Sequence, residues 1–163
     1  MRAVVLADTH LPDGSGRSLD GRVLRAAAEA DLVLHAGDVT GGDLLECLAG
    51  LAPVRAVLGN NDRALIGVLP EVVELDLDGV AVAMVHDAGP RRGRPARLAR
   101  RFPEADLVVF GHSHLPENLT PAAGPRLFNP GSPTQRRQAP TRSFGVLEVT
   151  GGRIVDLRHI DLD

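Results

Sequence analysis

The chain has 163 residues, enough to bury one sizeable core and too few for two ordinary ones, so a single domain over 1–163 is expected. Its hydrophobic fraction of 44% and charged fraction of 24% are those of a globular protein, and no apolar run approaches the roughly eighteen residues a membrane helix needs. A net charge of −3 gives no field for holding nucleic acid, and because all eighteen basic residues are arginine, lysine nucleophiles and Schiff bases are excluded.

In chain order, the short apolar run Ala3–Ala7 reads as a first strand rather than a signal-peptide core, from which a cytoplasmic location is expected. A helix is expected at Leu19–Ala30, a strand at Leu32–His35, a helix at Gly42–Ala49 and a strand at Val54–Leu58, a β-α-β-α-β opening. Cys47 lies in an apolar stretch and is expected to be a small buried side chain. Strands follow at Val72–Leu77 and Val80–Val85, joined by the hairpin signal Asp78-Gly79. Pro95 and Pro103 bound a third helix at Pro95–Phe102, and further strands are expected at Leu107–Phe110, Phe144–Val149 and Ile154–Leu157. The C-terminal part should be largely antiparallel, completing an α/β domain with a mixed sheet or two packed sheets.

Chemistry gathers just after the strands. Asp8-Thr9-His10 follows the first, Gly37-Asp38 the second, Gly59-Asn60-Asn61-Asp62 the third, His86-Asp87 the fifth and Gly111-His112-Ser113-His114 the sixth. Alone, an Asp-x-His or a Gly-Asp is an ordinary turn; five in order at strand ends are not explained by solubility. In extended backbone the members of Asp8/His10 and of His112/His114 project to the same side. Asp8, His10, Asp38, Asn60, His86, His112 and His114 supply seven oxygen or nitrogen donors and no thiolate, too many for one catalytic zinc and suited to two cations sharing a ligand. A carboxylate can bridge ions roughly 3.5–4 Å apart, and Asp38 is the candidate. The glycines before Asp38, Asn60 and His112 are expected to give the turns a permissive backbone.

Asp8-x-His10, Gly37-Asp38, Gly59-Asn60-x-Asp62, His86 and Gly111-His112-x-His114 resemble the ordered blocks of the calcineurin-like metallophosphoesterases. Asn129-Pro130-Gly131-Ser132 is similar to a motif of that superfamily's small bacterial and archaeal phosphodiesterases. The resemblance implies a four-layer α/β/β/α sandwich of two mixed sheets flanked by helices. It assigns one metal to Asp8, His10, Asp38 and His114 and a second to Asp38, Asn60, His86 and His112. Two divalent ions are implied, manganese first, with zinc, iron or nickel as alternatives.

The chain departs from the family in two places. Asn61 stands where the family often has a histidine thought to protonate the leaving group, and an amide cannot supply a proton. The fourth block, His86-Asp87-Ala88-Gly89, lacks the family's frequent His-Gly and following histidine. The expected activity is a metal-dependent phosphodiesterase in which a hydroxide bridging two metals attacks phosphorus, on small phosphoesters with good leaving groups. Asn61 is expected to hydrogen-bond a phosphoryl oxygen or leaving group, with Asp62 orienting it and Asp87 either supporting a ligand or simply solvated. Arg97, Arg100 and Arg101 read as a solvated helix face, while Arg91, Arg92 or Arg94 is the alternative contact for a substrate phosphate. His35 is expected to be a buried non-ligand, and His159, Arg136 and Arg137 surface residues. The rival readings are a phosphomonoesterase or protein phosphatase, and a protein-binding scaffold like the retromer subunit on this fold.

Overall fold

The computed structural model describes residues 1–15 and 17–163. Strands β1 (Arg2–Leu6), β2 (Leu32–His35) and β3 (Val54–Ala56) alternate with helices α1 (Gly21–Ala28) and α2 (Gly42–Ala49). Helix α1 starts where the Asp20 carboxylate accepts the Arg22 N–H at 2.9 Å, two residues inside the expected start, and α2 matches its expectation. After a 3₁₀ turn at Arg63–Leu65 come β4 (Val72–Leu77) and β5 (Val80–Val85), then α3 (Arg94–Arg101), β6 (Leu107–Val109), β7 (Glu117–Leu119), β8 (Arg126–Asn129), β9 (Ser143–Thr150) and β10 (Arg153–Asp161).

The strands form two five-stranded sheets, ordered β10-β9-β1-β2-β3 and β4-β5-β6-β8-β7. Every other residue of β1 faces the partner sheet: Ala3 and Val5 join Leu34, Val82, Met84, Val109 and Phe128 in the central core. Val4 and Leu6 face the other way, onto Val23 and Ala27 of α1 and Leu44 and Leu48 of α2. On the far side Leu98 and Phe102 cover Ala83, Val108 and Leu127. The layers are therefore α/β/β/α, as the motifs implied. Among the described residues no helix is long and apolar enough to cross a membrane.

The C-terminal half is less antiparallel than expected. The pairs β4–β5, β7–β8 and β9–β10 are antiparallel, but β5–β6 and β6–β8 are parallel, because α3 carries the chain back over the sheet between β5 and β6. Strands β7 and β8 had no expectation; they are short and flanked by Pro116 and Pro125, and β7 is a polar edge strand. Cys47 is exposed rather than buried, since the buried stripe of α2 runs through Leu44 and Leu48 and leaves Cys47 off it. His159 is only half exposed: its ring stacks on Phe128 and its Nε2 donates to the Asn129 carbonyl at 2.8 Å.

This topology aligns the carboxyl ends of β1, β2 and β3 in one sheet and of β5, β6 and β8 in the other. All seven donor residues follow one of the first five of these ends.

Candidate metal centre

The loops after the strands do not stay extended. Asp8, His10, Asp38, His112 and His114 all have left-handed backbone, with φ between 45° and 70°. Contrary to the expectation from extended backbone, successive tight turns, not strand alternation, aim the side chains of Asp8/His10 and His112/His114 inward. Left-handed backbone costs a non-glycine residue of order 1–2 kcal/mol, and such strain concentrates where surrounding structure forces a functional geometry. Of the three glycines, only Gly37 (φ 88°) uses its conformational freedom. Gly59 and Gly111 serve close approach: a Cβ on Gly59 would overlap the amide nitrogen and Oδ1 of Asp38, and one on Gly111 would lie 2.8 Å from the Ala7 Cβ.

The seven residues form one connected cluster. His114 Nε2 lies 3.2 Å from His10 Nε2 and 3.6 Å from Asp8 Oδ1. Asp38 Oδ2 faces His10 Nε2 at 3.6 Å and His86 Nε2 at 3.5 Å, so one oxygen looks to both halves. Asn60 Oδ1 is 3.0 Å from both His86 Nε2 and His112 Nδ1. Donor atoms of Asp8, His10 and His114, and likewise of Asp8, Asp38 and His86, lie within 4.8 Å of one another.

These atoms suit cations better than each other. His86 Nδ1 donates to the Ala36 carbonyl at 2.7 Å and His114 Nδ1 to the Gln135 carbonyl at 3.0 Å. Carbonyls only accept, so Nδ1 carries a proton in both rings and Nε2 is the nitrogen turned into the cluster, toward another nitrogen or oxygen. Both Asp8 carboxylate oxygens are buried with no hydrogen-bond partner among the described residues. Burying an unpartnered carboxylate is costly, and burial pushes Asp8 up to about 7. Burial likewise lowers His10, and brings His114 down to about 4, keeping both rings neutral. Burial opposes ionisation of Asp38 as well, but the neighbouring His86 ring and the two hydrogen bonds from Asn61 outweigh it and hold the carboxyl below its usual range. For His86 the Asp38 and Ala36 contacts outweigh burial and raise its pKa. Imidazole, carboxylate and amide donors gathered this closely, with the Asp8 oxygens unpartnered among the described residues, fit a divalent-metal centre.

Around the cluster, Asp62 is buried and accepts the N–H groups of Asp38 (2.9 Å), Thr40 (2.7 Å) and Gly59 (2.7 Å). It fixes the Asp38 loop rather than orienting Asn61. Asn61 turns toward Asp38, giving its backbone N–H to Oδ1 at 2.8 Å and its side-chain amide to Oδ2 at 2.7 Å. Asp87 is exposed and only closes its own loop by accepting the Gly89 N–H. His35 is wholly buried against Thr9 Oγ1, as expected of a non-ligand.

The arginine reading changes too. Arg94 is buried over Phe110 and bonds Glu117 and the Gly89 carbonyl, so it is not free for a substrate. Arg97 donates to the Ala88 and Pro90 carbonyls instead of standing on a solvated face.

The loop following β8 does more than its motif implies: it braces the candidate centre. Asn129 donates to the Gly111 carbonyl and Ser113 Oγ, Ser132 Oγ donates to the Asp8 carbonyl at 2.7 Å, and Thr134 Oγ1 to the Thr9 carbonyl at 2.7 Å. The Asn129-Pro130-Gly131-Ser132 motif was the available signal, but nothing in its spacing pointed at the Asp8 loop.

The calcineurin-like phosphoesterase superfamily domain matches residues 1–152. A probable metallophosphoesterase of Methanothermobacter thermautotrophicus is 34% identical over 157 residues, covering 92% of this chain and 87% of that protein. Vps29 of Entamoeba histolytica, solved in complex with zinc, shares the fold with a TM-score of 0.76 at 23% identity over 99% of each chain. YfcE, a phosphoesterase from E. coli, does so with a TM-score of 0.65 at 21% identity, over 97% of this chain and 98% of its own. At such identities these two structures speak to the fold alone.

Proposed function

The chain belongs to the calcineurin-like phosphoesterase superfamily, and from that premise we propose that it is a two-metal phosphodiesterase acting on small phosphoesters in the cytoplasm. The observation that carries the reading is the convergence of seven oxygen and nitrogen donors, with both Asp8 oxygens buried and lacking a hydrogen-bond partner among the described residues. Asp8, His10, Asp38 and His114 would hold one ion and Asp38, Asn60, His86 and His112 the other, manganese being the expected activator. When bound, two divalent ions supply a water of lowered pKa and neutralise the charge of the phosphoryl oxygens.

The chain's own part is positioning. Asp62 holds the Asp38 loop by three amides, and the Ala36 and Gln135 carbonyls fix which nitrogens of His86 and His114 face inward. Asn61 keeps Asp38 ionised through two hydrogen bonds and has no proton to give a leaving group. That favours substrates whose leaving group departs unassisted, activated diesters among them, over esters of simple alcohols.

Hydrolysis of bis(p-nitrophenyl) phosphate and of p-nitrophenyl phosphate, a diester and a monoester with the same leaving group, with added manganese tests this. The proposal expects the diester to be cleaved quickly and the monoester slowly; fast release from the monoester overturns the diester assignment. The likeness to Vps29 leaves one second reading, a fold kept without turnover. Retention of all seven donors supports the enzyme, and absence of turnover with every divalent metal would support the scaffold.

A further inference from the structure

The loop 130–139 ends on a residue that neither the fold nor the metal ligands account for. Its first half is tied to the centre through Ser132, Thr134 and the Gln135 carbonyl, which reach the Asp8 carbonyl, the Thr9 carbonyl and His114 Nδ1. Its second half is a tight turn closed by the Ala139 N–H on the Arg136 carbonyl at 2.9 Å. Arg137 is the first central residue of that turn and has φ 48°. Such turns select glycine, asparagine or aspartate there, so a long β-carbon-bearing side chain is held against the local preference.

Arg137 is exposed and makes no ion pair among the described residues, unlike Arg94 with Glu117 and Arg142 with Asp163. The carbonyl of Gln135, two residues before it, accepts from His114 Nδ1, so the turn bearing Arg137 opens beside that half of the cluster, and the influence of its charge on Asp8, His10 and His114 agrees with this. The leading influences on Asp38 and His86 come from elsewhere. A strained turn, anchored to the centre by its preceding residues, thus presents an unpaired planar cation at the edge of a site that also contains two carboxylates.

We propose that Arg137 binds the substrate's phosphate, its guanidinium taking non-bridging oxygens of the phosphoryl group held at the Asp8, His10 and His114 side. This rests on the phosphoesterase reading above. A guanidinium matches two phosphoryl oxygens at once, whereas an ammonium supplies only a point charge.

The test compares manganese-loaded wild type with Arg137→Asn and Arg137→Lys, measuring kcat and KM for bis(p-nitrophenyl) phosphate, metal content, melting temperature, and inorganic phosphate binding by calorimetry. Asparagine suits the left-handed turn, so Arg137→Asn should melt at or above the wild-type temperature with its metals retained. Its KM and its phosphate dissociation constant should rise about 10- to 100-fold, the worth of a charge-assisted hydrogen bond, with kcat changed far less. Arg137→Lys should recover part of the phosphate affinity. Unchanged KM and phosphate binding in Arg137→Asn overturn the inference, and so does loss of metal from that variant, which would make Arg137 a support of the centre. Failure of wild type to turn over with any metal overturns the phosphoesterase reading instead, and is separable because phosphate binding is measured without turnover.

Discussion

At Asp62 one carboxylate closed off from solvent accepts three backbone N–H groups, from Asp38, Thr40 and Gly59. Asp62→Ala leaves these donors unpaired, at about 1–3 kcal/mol each, so a loss of at least ~3 kcal/mol in urea unfolding of the metal-free protein is expected, together with weaker metal binding. A loss below ~1 kcal/mol would contradict the assigned role. His35 makes a pH-dependent prediction. Burial pushes this histidine down to about 3 from 6.5, and among the described residues its Nδ1 has no partner to accept a hydrogen bond from a second proton. Between those values the unfolded chain binds a proton the folded one refuses, so stability rises with pH across the window and is lost as pH falls below 6.5. Metal-free His35→Gln should lose part of this acid limb, by up to about 1.4 kcal/mol per pH unit. Thermal melts from pH 7 down to about 4 check it; an unchanged limb refutes the assignment. At this scale the candidate donors could be picked out from the sequence because ligand chemistry depends on residue type, and the structure brings them into one cluster. The inward turn of Asn61 and the three-amide role of Asp62 could not, because both depend on loop backbone that strand-end spacing does not specify.

Between the elements, the tightest constraint is the approach of the loops after β2 and β3. Gly59→Ala would push its methyl into Asp38, the residue that looks to both halves of the cluster. The fold should survive, while metal affinity falls at least about tenfold, or about 1.4 kcal/mol, in a chelator competition titration; wild-type affinity would show that the loops have slack. On the opposite layer, Arg94 ties α3 to β7 through Glu117 and to the Gly89 carbonyl. Truncating a buried, paired arginine costs about 3–5 kcal/mol. Arg94→Ala should therefore unfold at markedly lower urea, with per-molecule activity of the folded fraction kept; a loss of activity at full stability would return Arg94 to the substrate. The strands β1 to β6, α2 and the β4–β5 hairpin were legible, since continuous apolar runs, Asp78-Gly79 and proline boundaries report directly on local structure. Strands β7 and β8 escaped because they are short and held largely by pairing with β6 and each other. Left-handed backbone at five ligand candidates escaped as well, since Asp and His carry no obligatory signal for it.

Across the whole molecule, two sheets with parallel inner strands bring six carboxyl ends to one edge, five carrying donors and the sixth the loop that braces them. Local pattern showed the donors and the resemblance supplied the sandwich, but the parallel crossover through α3 needed the fold. Because both Asp8 oxygens are buried without a hydrogen-bond partner among the described residues, a bound metal would add to the native state's stability, since anything that binds only the folded state stabilises it by mass action. The most direct measurement of the central claim is hydrolysis of bis(p-nitrophenyl) phosphate by chelator-stripped protein, before and after manganese is restored, in wild type and His114→Ala. The account predicts turnover only with restored metal, about two ions per wild-type chain, and a drop of at least roughly 100-fold in the variant. Turnover that survives chelation, or is equal in His114→Ala, contradicts it.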